Sequence, residues 1–252
     1  MSEQAAGGSG IVTAALLVIG DEILSGRTKD KNIGHIADHL TAIGIQLKEV
    51  RVVADVEEEI VAAVNALRKR YTYLFTTGGI GPTHDDITAD SIAKAFGVGI
   101  DVDERALAPM KAYFERRGVE LTPARLRMAR IPFGAELVEN SVSIAPGFML
   151  GNVIVMAGVP NIMHVMLDAA TRFLKTGKKM LSFAIDVHRP EGEIGDPFSA
   201  LQKRYPDVSM GSYPFQRDGK PGTQLVLRST EAARLVEAEN ELKLLMAARG
   251  WV

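Results

Sequence analysis

The 252-residue sequence contains no cysteine and carries almost no net charge. Without cysteine the chain can form neither a disulfide nor a thiolate metal site, so any bound metal must use oxygen or imidazole ligands. The formal net charge of -2 argues against a nucleic-acid-binding surface, because such surfaces are rich in lysine and arginine. We therefore expect no nucleic-acid partner.

Long hydrophobic runs are also missing. No run reaches the roughly 18 apolar residues that a membrane-spanning helix needs. The first ten residues, MSEQAAGGSG, lack the basic and apolar regions of a signal peptide, and we expect residues 1–10 to be disordered. These absences predict a cytoplasmic protein without a membrane partner. Hydrophobic residues nevertheless make up 46% of the chain, which is enough to build a full core.

Apolar runs and helical patterns alternate along the first part of the chain. The segments 12–19 and 71–77 have the composition of buried strands, 45–53 alternates like a strand, and each precedes apolar residues at helical spacing. Such alternation predicts an α/β fold with a parallel sheet that helices cover on both faces. Ligands in these folds bind beyond the carboxyl ends of the strands, where the loops at 20–26, near 55 and at 78–86 begin.

Further elements are predicted after these three strands. Helices are expected at 101–117 and 121–130, a strand at 153–157 and another helix at 162–174. A change in composition at 176–179 then predicts a domain boundary.

Residues 180–252 are expected to form a smaller second domain. The pattern predicts a strand at 181–187, a helix at 197–204, two strands joined by a tight turn at 217–220, and a final helix at 231–248. This β-α-β-β-α order predicts a small α+β subdomain of the ferredoxin-like type.

The glycine-rich segment at 75–90 is the strongest functional signal. Its glycines allow backbone angles and close approaches that a side chain would prevent, and free N–H groups in such a loop can hold a phosphate. Asp85 and Asp86 follow directly. Because carboxylates repel a phosphate, this arrangement implies a divalent metal between them. The alternative is that Asp86 only caps the following helix.

Within this segment, TTGGIGPTHDDIT resembles the signature of the molybdopterin-binding domain that MoaB, Mog and CinA proteins share. Its THDD variant is most similar to the CinA branch. Two further blocks match in order: GDEILSG at 20–26, with Asp30 and Asn32 after it, and the stretch from Asn140 to Pro160. The resemblance implies a three-layer molybdopterin-binding fold over residues 11–176. Residues 180–252 resemble the region that follows this domain in CinA-like proteins and eukaryotic FAD synthases.

The resemblance also implies which residues form the site. Asp55 and Asp86 stand where Mog-type enzymes have the carboxylates that organise magnesium. The residues expected to be catalytic are Asp55, Asp85 and Asp86. The residues expected to bind a divalent metal, Mg²⁺ or Co²⁺, are Asp21, Glu22 and Asp86. Those expected to contact phosphate or ligand are Gly20, Asn32, Thr77, Gly78, Gly79, Gly81 and Thr83.

Structural roles could explain part of this set. Asp55 lies three residues before Glu58, which is the spacing of a capping box, and Asn32 can cap the helix that follows it. Capping or loop solvation could also account for Asp21 and Glu22.

Three functions are consistent with the resemblance. The first is metal-dependent hydrolysis of an adenine-dinucleotide pyrophosphate of the ADP-ribose or FAD type. The second is molybdenum cofactor biosynthesis, with molybdopterin bound or adenylylated, and the third is non-catalytic binding of a nucleotide or pterin. Ile162 stands where CinA-like chains usually have a glutamate, which permits the third. The resemblance further implies a homo-oligomer, and without the deamidase domain of full CinA proteins we expect no deamidation of nicotinamide nucleotides.

Overall fold

The computed structural model describes residues 10–217 and 219–251. Residues 1–9 of the N-terminal segment that the sequence predicts to be disordered lie outside the described residues. The chain divides into two compact units, of which the first ends at Gly177 and the second begins at Lys178. None of the described helices is long and apolar enough to cross a bilayer.

Strands and helices alternate in the first unit. Its strands are β1 (Val12–Ile19), β2 (Ile45–Val53), β3 (Tyr73–Thr77), β4 (Ile100–Val102), β5 (Arg130–Pro132), β6 (Glu136–Val138), β7 (Gly147–Leu150) and β8 (Val153–Met156). Its helices are α1 (Asp21–Leu24), α2 (Asn32–Ala42), α3 (Glu57–Arg70), α4 (Thr88–Phe96), α5 (Glu104–Arg116), α6 (Pro123–Leu126) and α7 (Pro160–Ala170).

A six-stranded sheet in the order β2-β1-β3-β8-β7-β6 forms the centre of this unit. The first four strands are parallel to one another, as the alternating pattern predicts. At the other edge of the sheet, β7 is antiparallel to both of its neighbours, β8 and β6. β4 and β5 form a separate antiparallel pair. These four additional strands are only three or four residues long, too short to show alternation in the sequence.

Helices cover both faces of the sheet. Successive side chains of a strand point to opposite faces. In β1, Leu17 therefore belongs to the core cluster that contains α3 and α4 residues, and Leu16 belongs to the cluster that contains α2 and α7 residues. Both leucines are completely buried. Because β1, β2, β3 and β8 are parallel, their carboxyl ends all lie at the same end of the sheet.

Several predicted helix bounds are wrong. The helix expected at 101–117 begins only at Glu104, because the Asp103 carboxylate accepts the N–H of Arg105 at 2.8 Å and caps it. The helix expected at 121–130 is the four-residue α6 followed by a 3₁₀ turn at 127–129. The helix expected at 162–174 begins at Pro160, since proline is favoured in the first helical turn, and ends at Ala170.

The second unit contains β9 (Leu181–Val187), α8 (Glu191–Arg204), β10 (Ser209–Arg217), β11 (Lys220–Ser229) and α9 (Ala232–Ala248). The strands form an antiparallel sheet in the order β10-β11-β9, and residues of both helices share one core cluster with it. The predicted β-α-β-β-α order is therefore present. Helix α8 begins at Glu191, six residues before the predicted start, because Pro197 lies inside the helix rather than at its beginning.

Candidate functional site

The loops that follow β1, β2, β3 and β8 meet at the carboxyl ends of these parallel strands. The N–H of Gly20 donates to the carbonyl of Val53 at 3.1 Å, which ties the end of β1 to the end of β2. A Cβ atom on Gly78 would lie 2.1 Å from the carbonyl oxygen of Ile19, and one on Gly158 would lie 3.3 Å from the Cα of Gly78. Close backbone contact of this kind requires glycine.

The glycine loop, residues 78–81, combines positive φ angles with backbone N–H groups that are unpaired among the described residues. Gly78 and Gly79 have φ angles of +103° and +66°. Thr88, the first residue of α4, holds the loop: its N–H donates to the Gly79 carbonyl and its hydroxyl to the Gly78 carbonyl, each at 3.0 Å. The N–H groups of Gly79, Ile80 and Gly81 donate to no described residue. These three donors are therefore available to a phosphate.

An acidic cluster, formed by Asp21, Glu22, Asp55 and Asp85, lies beside the glycine loop. The Asp55 carboxylate accepts the N–H of Asp21 at 2.9 Å. Partial burial raises the pKa of Asp55, and the charges of the other three carboxylates raise it further against the opposing effect of the Asp21 N–H. The capping-box prediction for Asp55 is wrong, because α3 follows Val56 and has no side-chain cap. Asp55 instead connects the loops after β1 and β2.

The raised pKa of Asp55 predicts a pH-dependent gain in stability when the charge is removed. Because folding raises this pKa, the contribution of Asp55 to stability is present below its ordinary value of 3.8 and is lost as pH rises through the folded-state pKa. In chelator, the Asp55→Asn variant should therefore melt at a higher temperature than the parent at neutral pH, and the gap should close in acid. Thermal unfolding across that range checks this, with the exposed Asp38→Asn as control. A variant less stable at neutral pH would contradict it.

Asp86 lies against the glycine loop itself. A Cβ atom on Gly81 would be 2.6 Å from the Asp86 carboxylate. The same carboxylate accepts the N–H of Thr83 at 2.8 Å, which closes the turn after the loop. The alternative in which Asp86 caps α4 is wrong, because the residue before that helix is Ile87 and it has no side-chain cap. Asp86 thus lies against the loop, and Asp85 of the acidic cluster is the preceding residue in the chain.

A cavity of about 210 Å³ lies where the ends of β1 and β3 meet the start of α2, and Glu22 of the acidic cluster is part of its lining. Asn32 and Thr77, which are 4% and 1% exposed, also line this cavity. The Asn32 side-chain amide donates to the carbonyl of Gly158 at 2.8 Å. Its Oδ1 and the Thr77 hydroxyl have no hydrogen-bond partner among the described residues.

Asp30, rather than Asn32, caps α2. Its Oδ1 accepts the N–H of Asn32 at 3.0 Å and the N–H of Ile33 at 2.8 Å. The predicted capping role of Asn32 is therefore wrong by two positions. Because Asp30 satisfies the helix terminus, the Asn32 amide is left to contact the loop after β8 and the cavity.

Among the described residues, no three or more histidine, cysteine, aspartate or glutamate side chains are arranged to hold a metal ion. Of the expected ligands, Asp21 and Glu22 share the acidic cluster, whereas Asp86 lies beside Gly81. Carboxylate oxygens suit Mg²⁺, which proteins commonly bind through one or two carboxylates together with substrate phosphates and water. The described structure therefore does not gather the three expected ligands into one metal site, and a cation held there would need phosphate oxygens or water as further ligands.

One side chain near the loop, that of Arg127, is not evident as a site residue from the sequence. Arg127 donates to the Asp86 carbonyl at 3.2 Å, and its buried Nε has no partner within the described part of the chain. Nothing in the sequence separates Arg127 from the other arginines nearby. One of these, Arg130, forms an ion pair with Asp90 at 2.7 Å. Ile162, in the place of the expected glutamate, packs half-buried against the core cluster of α2 and α7 and brings no charge.

Comparison with known proteins agrees with this fold. Residues 15–176 match the family described as "Probable molybdopterin binding domain", and residues 179–252 match the family described as "FAD synthase, middle domain". A protein from Saccharolobus islandicus is 35% identical over 210 residues, covering 80% of each chain. A CinA-like protein from Desulfosudis oleivorans is 33% identical over 213 residues, which are 79% of this chain and 51% of that protein.

Among solved structures, the protein CinA with unknown function from Thermoplasma acidophilum superposes with a TM-score of 0.60 and 36% identity, covering 66% of this chain and 99% of that one. The chain spans about half the length of the CinA-like protein and 64% of a Metallosphaera sedula relative. The resemblance to CinA and to FAD synthases is confirmed by these matches. The chain therefore belongs to the molybdopterin-binding domain family, among its CinA-like members.

Proposed function

We propose that this protein hydrolyses the pyrophosphate bond of an adenine dinucleotide, of the ADP-ribose or FAD type, with a divalent metal such as Mg²⁺ or Co²⁺. The observation that carries the proposal is that free N–H groups of the glycine loop occur together with carboxylates, of which Asp86 lies beside Gly81 and Asp85 of the acidic cluster precedes it in the chain. Donors that attract a phosphate and carboxylates that repel it are compatible when a cation binds between them.

The residues of this chain have separate roles in the proposed reaction. The N–H groups of Gly79, Ile80 and Gly81 would hold phosphate oxygens. Asp86 beside the loop, or Asp21 and Glu22 in the acidic cluster, would supply carboxylate ligands to the metal, with phosphate oxygens and water completing its coordination. When bound, the metal would neutralise charge on the pyrophosphate and favour deprotonation of the attacking water.

Asp55 is the candidate general base. Burial and the neighbouring carboxylates raise its pKa, which makes it a better proton acceptor than an exposed aspartate. Its hydrogen bond from the Asp21 N–H fixes the carboxylate in place. Asp85, in the same cluster, is a second carboxylate that could bind metal, and the hydrogen bond of the Thr83 side chain lowers its pKa, which makes it a weaker base than Asp55.

The second unit supports the choice of substrate. It matches the middle domain of FAD synthase, a protein whose name refers to an adenine dinucleotide, and the CinA-like relative aligns over 79% of the chain, which exceeds the molybdopterin-binding region alone. The substrate class is therefore inferred from the combination of the two matches.

Metal-dependent release of AMP tests this proposal. Purified protein is incubated with ADP-ribose, FAD or NAD in Mg²⁺, Co²⁺ or chelator, and the products are separated by chromatography. We expect AMP from at least one substrate only when metal is present, and none from the Asp86→Asn variant, because the amide cannot neutralise a cation. The Asp38→Asn variant, which changes an exposed aspartate on α2, should retain activity. If no substrate is cleaved with either metal, the proposal is wrong for these compounds.

Molybdopterin binding is the second candidate function. The family match over residues 15–176 favours it, with molybdopterin either adenylylated or only bound. The apolar side chain of Ile162 in place of a carboxylate favours binding without turnover of a nucleotide or pterin. Retention of such a ligand without any metal-dependent product would support this candidate over hydrolysis.

A further inference from the structure

Three histidines lie together between α2 and α7, the helices that share one core cluster on the same face of the central sheet. His35 and His39 are one turn apart on α2, and His164 is on α7. The rings of His35 and His164 stack, with their centroids 3.6 Å apart and their planes 15° from parallel. None of the three side chains has a role in the proposed hydrolysis.

The stacked geometry does not suit a metal ion. Imidazole binds a metal through a nitrogen lone pair, which lies in the plane of the ring. Two nearly parallel rings 3.6 Å apart therefore do not direct their nitrogens at one ion. This agrees with the lack of a metal-binding group in the part of the chain that the structure describes. The stack instead brings together two groups whose charge depends on pH.

The position of the His164 ring suits only its neutral form. Its Nε2 is buried and has no hydrogen-bond partner among residues 10–217 and 219–251. A protonated imidazole donates from both nitrogens, so protonation here would leave a charged N–H buried without an acceptor. Protonation of His35 as well would place two positive charges in direct contact. The stack therefore requires a neutral His164.

His39 adds a third ionisable group beside the stack. Its Nε2 lies 2.8 Å from the Thr171 hydroxyl, which donates to the Leu167 carbonyl and therefore accepts the Nε2 proton. Burial lowers the pKa of His39, and His35 lowers it further against the opposing effect of Asp168. Because folding lowers this pKa, the contribution of His39 to stability is present above its ordinary value of 6.5 and is lost as pH falls through the folded-state pKa.

The other charged groups around the histidines do not compensate three protonated rings. On α7, Asp168 is largely exposed, where an ion pair contributes little. On α2, Lys31 and Asp38 lie at helical spacing from the stack and carry opposite charges. Beside α7, Glu139 and Arg172 pair with each other. Complete protonation therefore leaves a net positive charge between the two helices.

The stack joins the two helices whose N-terminal ends meet at the candidate site. Asn32 begins α2, and its amide donates at 2.8 Å to the carbonyl of Gly158, two residues before α7. His35 is in the first turn of α2, and His164 is four residues after the start of α7. Separation of the two rings therefore moves the start of α2 away from α7 and from Gly158.

We propose that the His35–His164 stack is an acid-sensitive latch between α2 and α7, which opens when both rings are protonated and releases the contact between Asn32 and Gly158. At about pH 7.5 most histidines are neutral and the latch is closed, whereas at about pH 5.5 most are charged and it opens. The latch does not depend on which ligand the site binds, so it goes beyond the hydrolysis proposed above.

Hydrogen exchange of the whole protein tests the latch without any ligand. Mass spectrometry compares peptides from α2 at about pH 7.5 and about pH 5.5, after correction for the intrinsic pH dependence of amide exchange. We expect the corrected exchange of α2 to be about tenfold faster or more in acid, whereas α3, on the opposite face of the sheet, changes little. Equal corrected rates for α2 at the two pH values would overturn the proposal, and so would an equal increase in α3.

His35→Gln and His188→Gln provide a matched pair of variants. Both replace an exposed histidine with a neutral polar residue, but only His35 belongs to the stack, whereas His188 contacts Phe215 in the second unit. Thermal unfolding at neutral pH checks that both fold. His35→Gln should lose most of the acid response of α2, because the remaining ring has no charged partner to repel, and His188→Gln should respond like the parent.

His164→Gln is the second variant of the stack. It removes both the charge repulsion and the buried ring nitrogen, so its α2 exchange should depend on pH no more than that of α3. An acid response as large as that of the parent in both His35→Gln and His164→Gln would overturn the latch.

The outcome is separable from that of the hydrolysis experiment. Activity alone does not distinguish the latch from Asp55, because protonation of the proposed base also slows hydrolysis in acid. Exchange is measured without substrate and therefore reports only the helices. Hydrolysis together with pH-independent exchange of α2 would leave the proposed function intact and reject the latch. Opening of α2 in acid without any hydrolysis would do the reverse.

Discussion

Replacement of Asp55 by asparagine is expected to slow metal-dependent hydrolysis of the adenine dinucleotide by a factor of about a hundred or more. Loss of a positioned general base typically lowers a rate by roughly 10²–10⁴. Asparagine retains an oxygen that can accept the Asp21 N–H, so the loop connection at 2.9 Å is preserved while the charge and the proton acceptor are lost. The rate of AMP release at saturating Mg²⁺ measures the effect.

The same substitution has opposite effects on activity and stability, which makes the result diagnostic. Removal of a charge whose pKa is raised in the folded protein should stabilise the fold at neutral pH even as activity disappears. A residue with a purely structural role would lose both together. The Asp38→Asn variant should change neither property, because Asp38 is exposed on α2. Full activity of the Asp55→Asn protein would exclude Asp55 as the base.

Replacement of Gly78 by alanine is expected to lower the free energy of unfolding by about 3 kcal/mol or more. The new Cβ would lie 2.1 Å from the Ile19 carbonyl oxygen, which belongs to the central strand β1 and cannot move without disturbing the sheet. The φ angle of +103° adds backbone strain for any residue with a side chain. Denaturant unfolding measures the loss, and any folded protein that remains should bind nucleotide poorly because the glycine loop has shifted.

Gly118 provides the matched control for this substitution. It also has a positive φ angle, +63°, but a Cβ atom there would meet nothing within 4 Å. The Gly118→Ala variant should therefore lose only about 1 kcal/mol, the cost of the left-handed conformation. If the two variants unfold at the same denaturant concentration, contact with Ile19 contributes nothing and the steric argument is wrong.

The central part of the fold could be predicted because its signals are long and periodic. The strands β1 and β3 are largely apolar runs, β2 alternates between apolar and polar residues, and helices with clear apolar faces follow all three. Strands β4 to β7 were not predicted because three or four residues cannot show a period. The antiparallel edge of the sheet follows from those short strands and was therefore missed with them.

The site was predictable in residue type but not in the role of each side chain. Parallel strand order alone brings the loops after β1, β2 and β3 together, so Asp21, Asp55 and the glycines could be grouped from the sequence. Capping was not predictable, because Asp30 and Asn32 are both good caps two residues apart and only the backbone path decides between them. The contact between Asp86 and Gly81 depends on the conformation of the turn at Thr83, which sequence spacing does not specify.

The two hydrogen bonds from Thr88 to the glycine loop affect the thermodynamics of recognition. Because helix α4 holds the carbonyls of Gly78 and Gly79, the free N–H groups of the loop are already oriented before any ligand arrives. The conformational entropy of ordering the loop is lost during folding rather than during association. Affinity for a phosphorylated ligand therefore depends in part on Thr88, a completely buried residue whose hydroxyl bonds only to the loop.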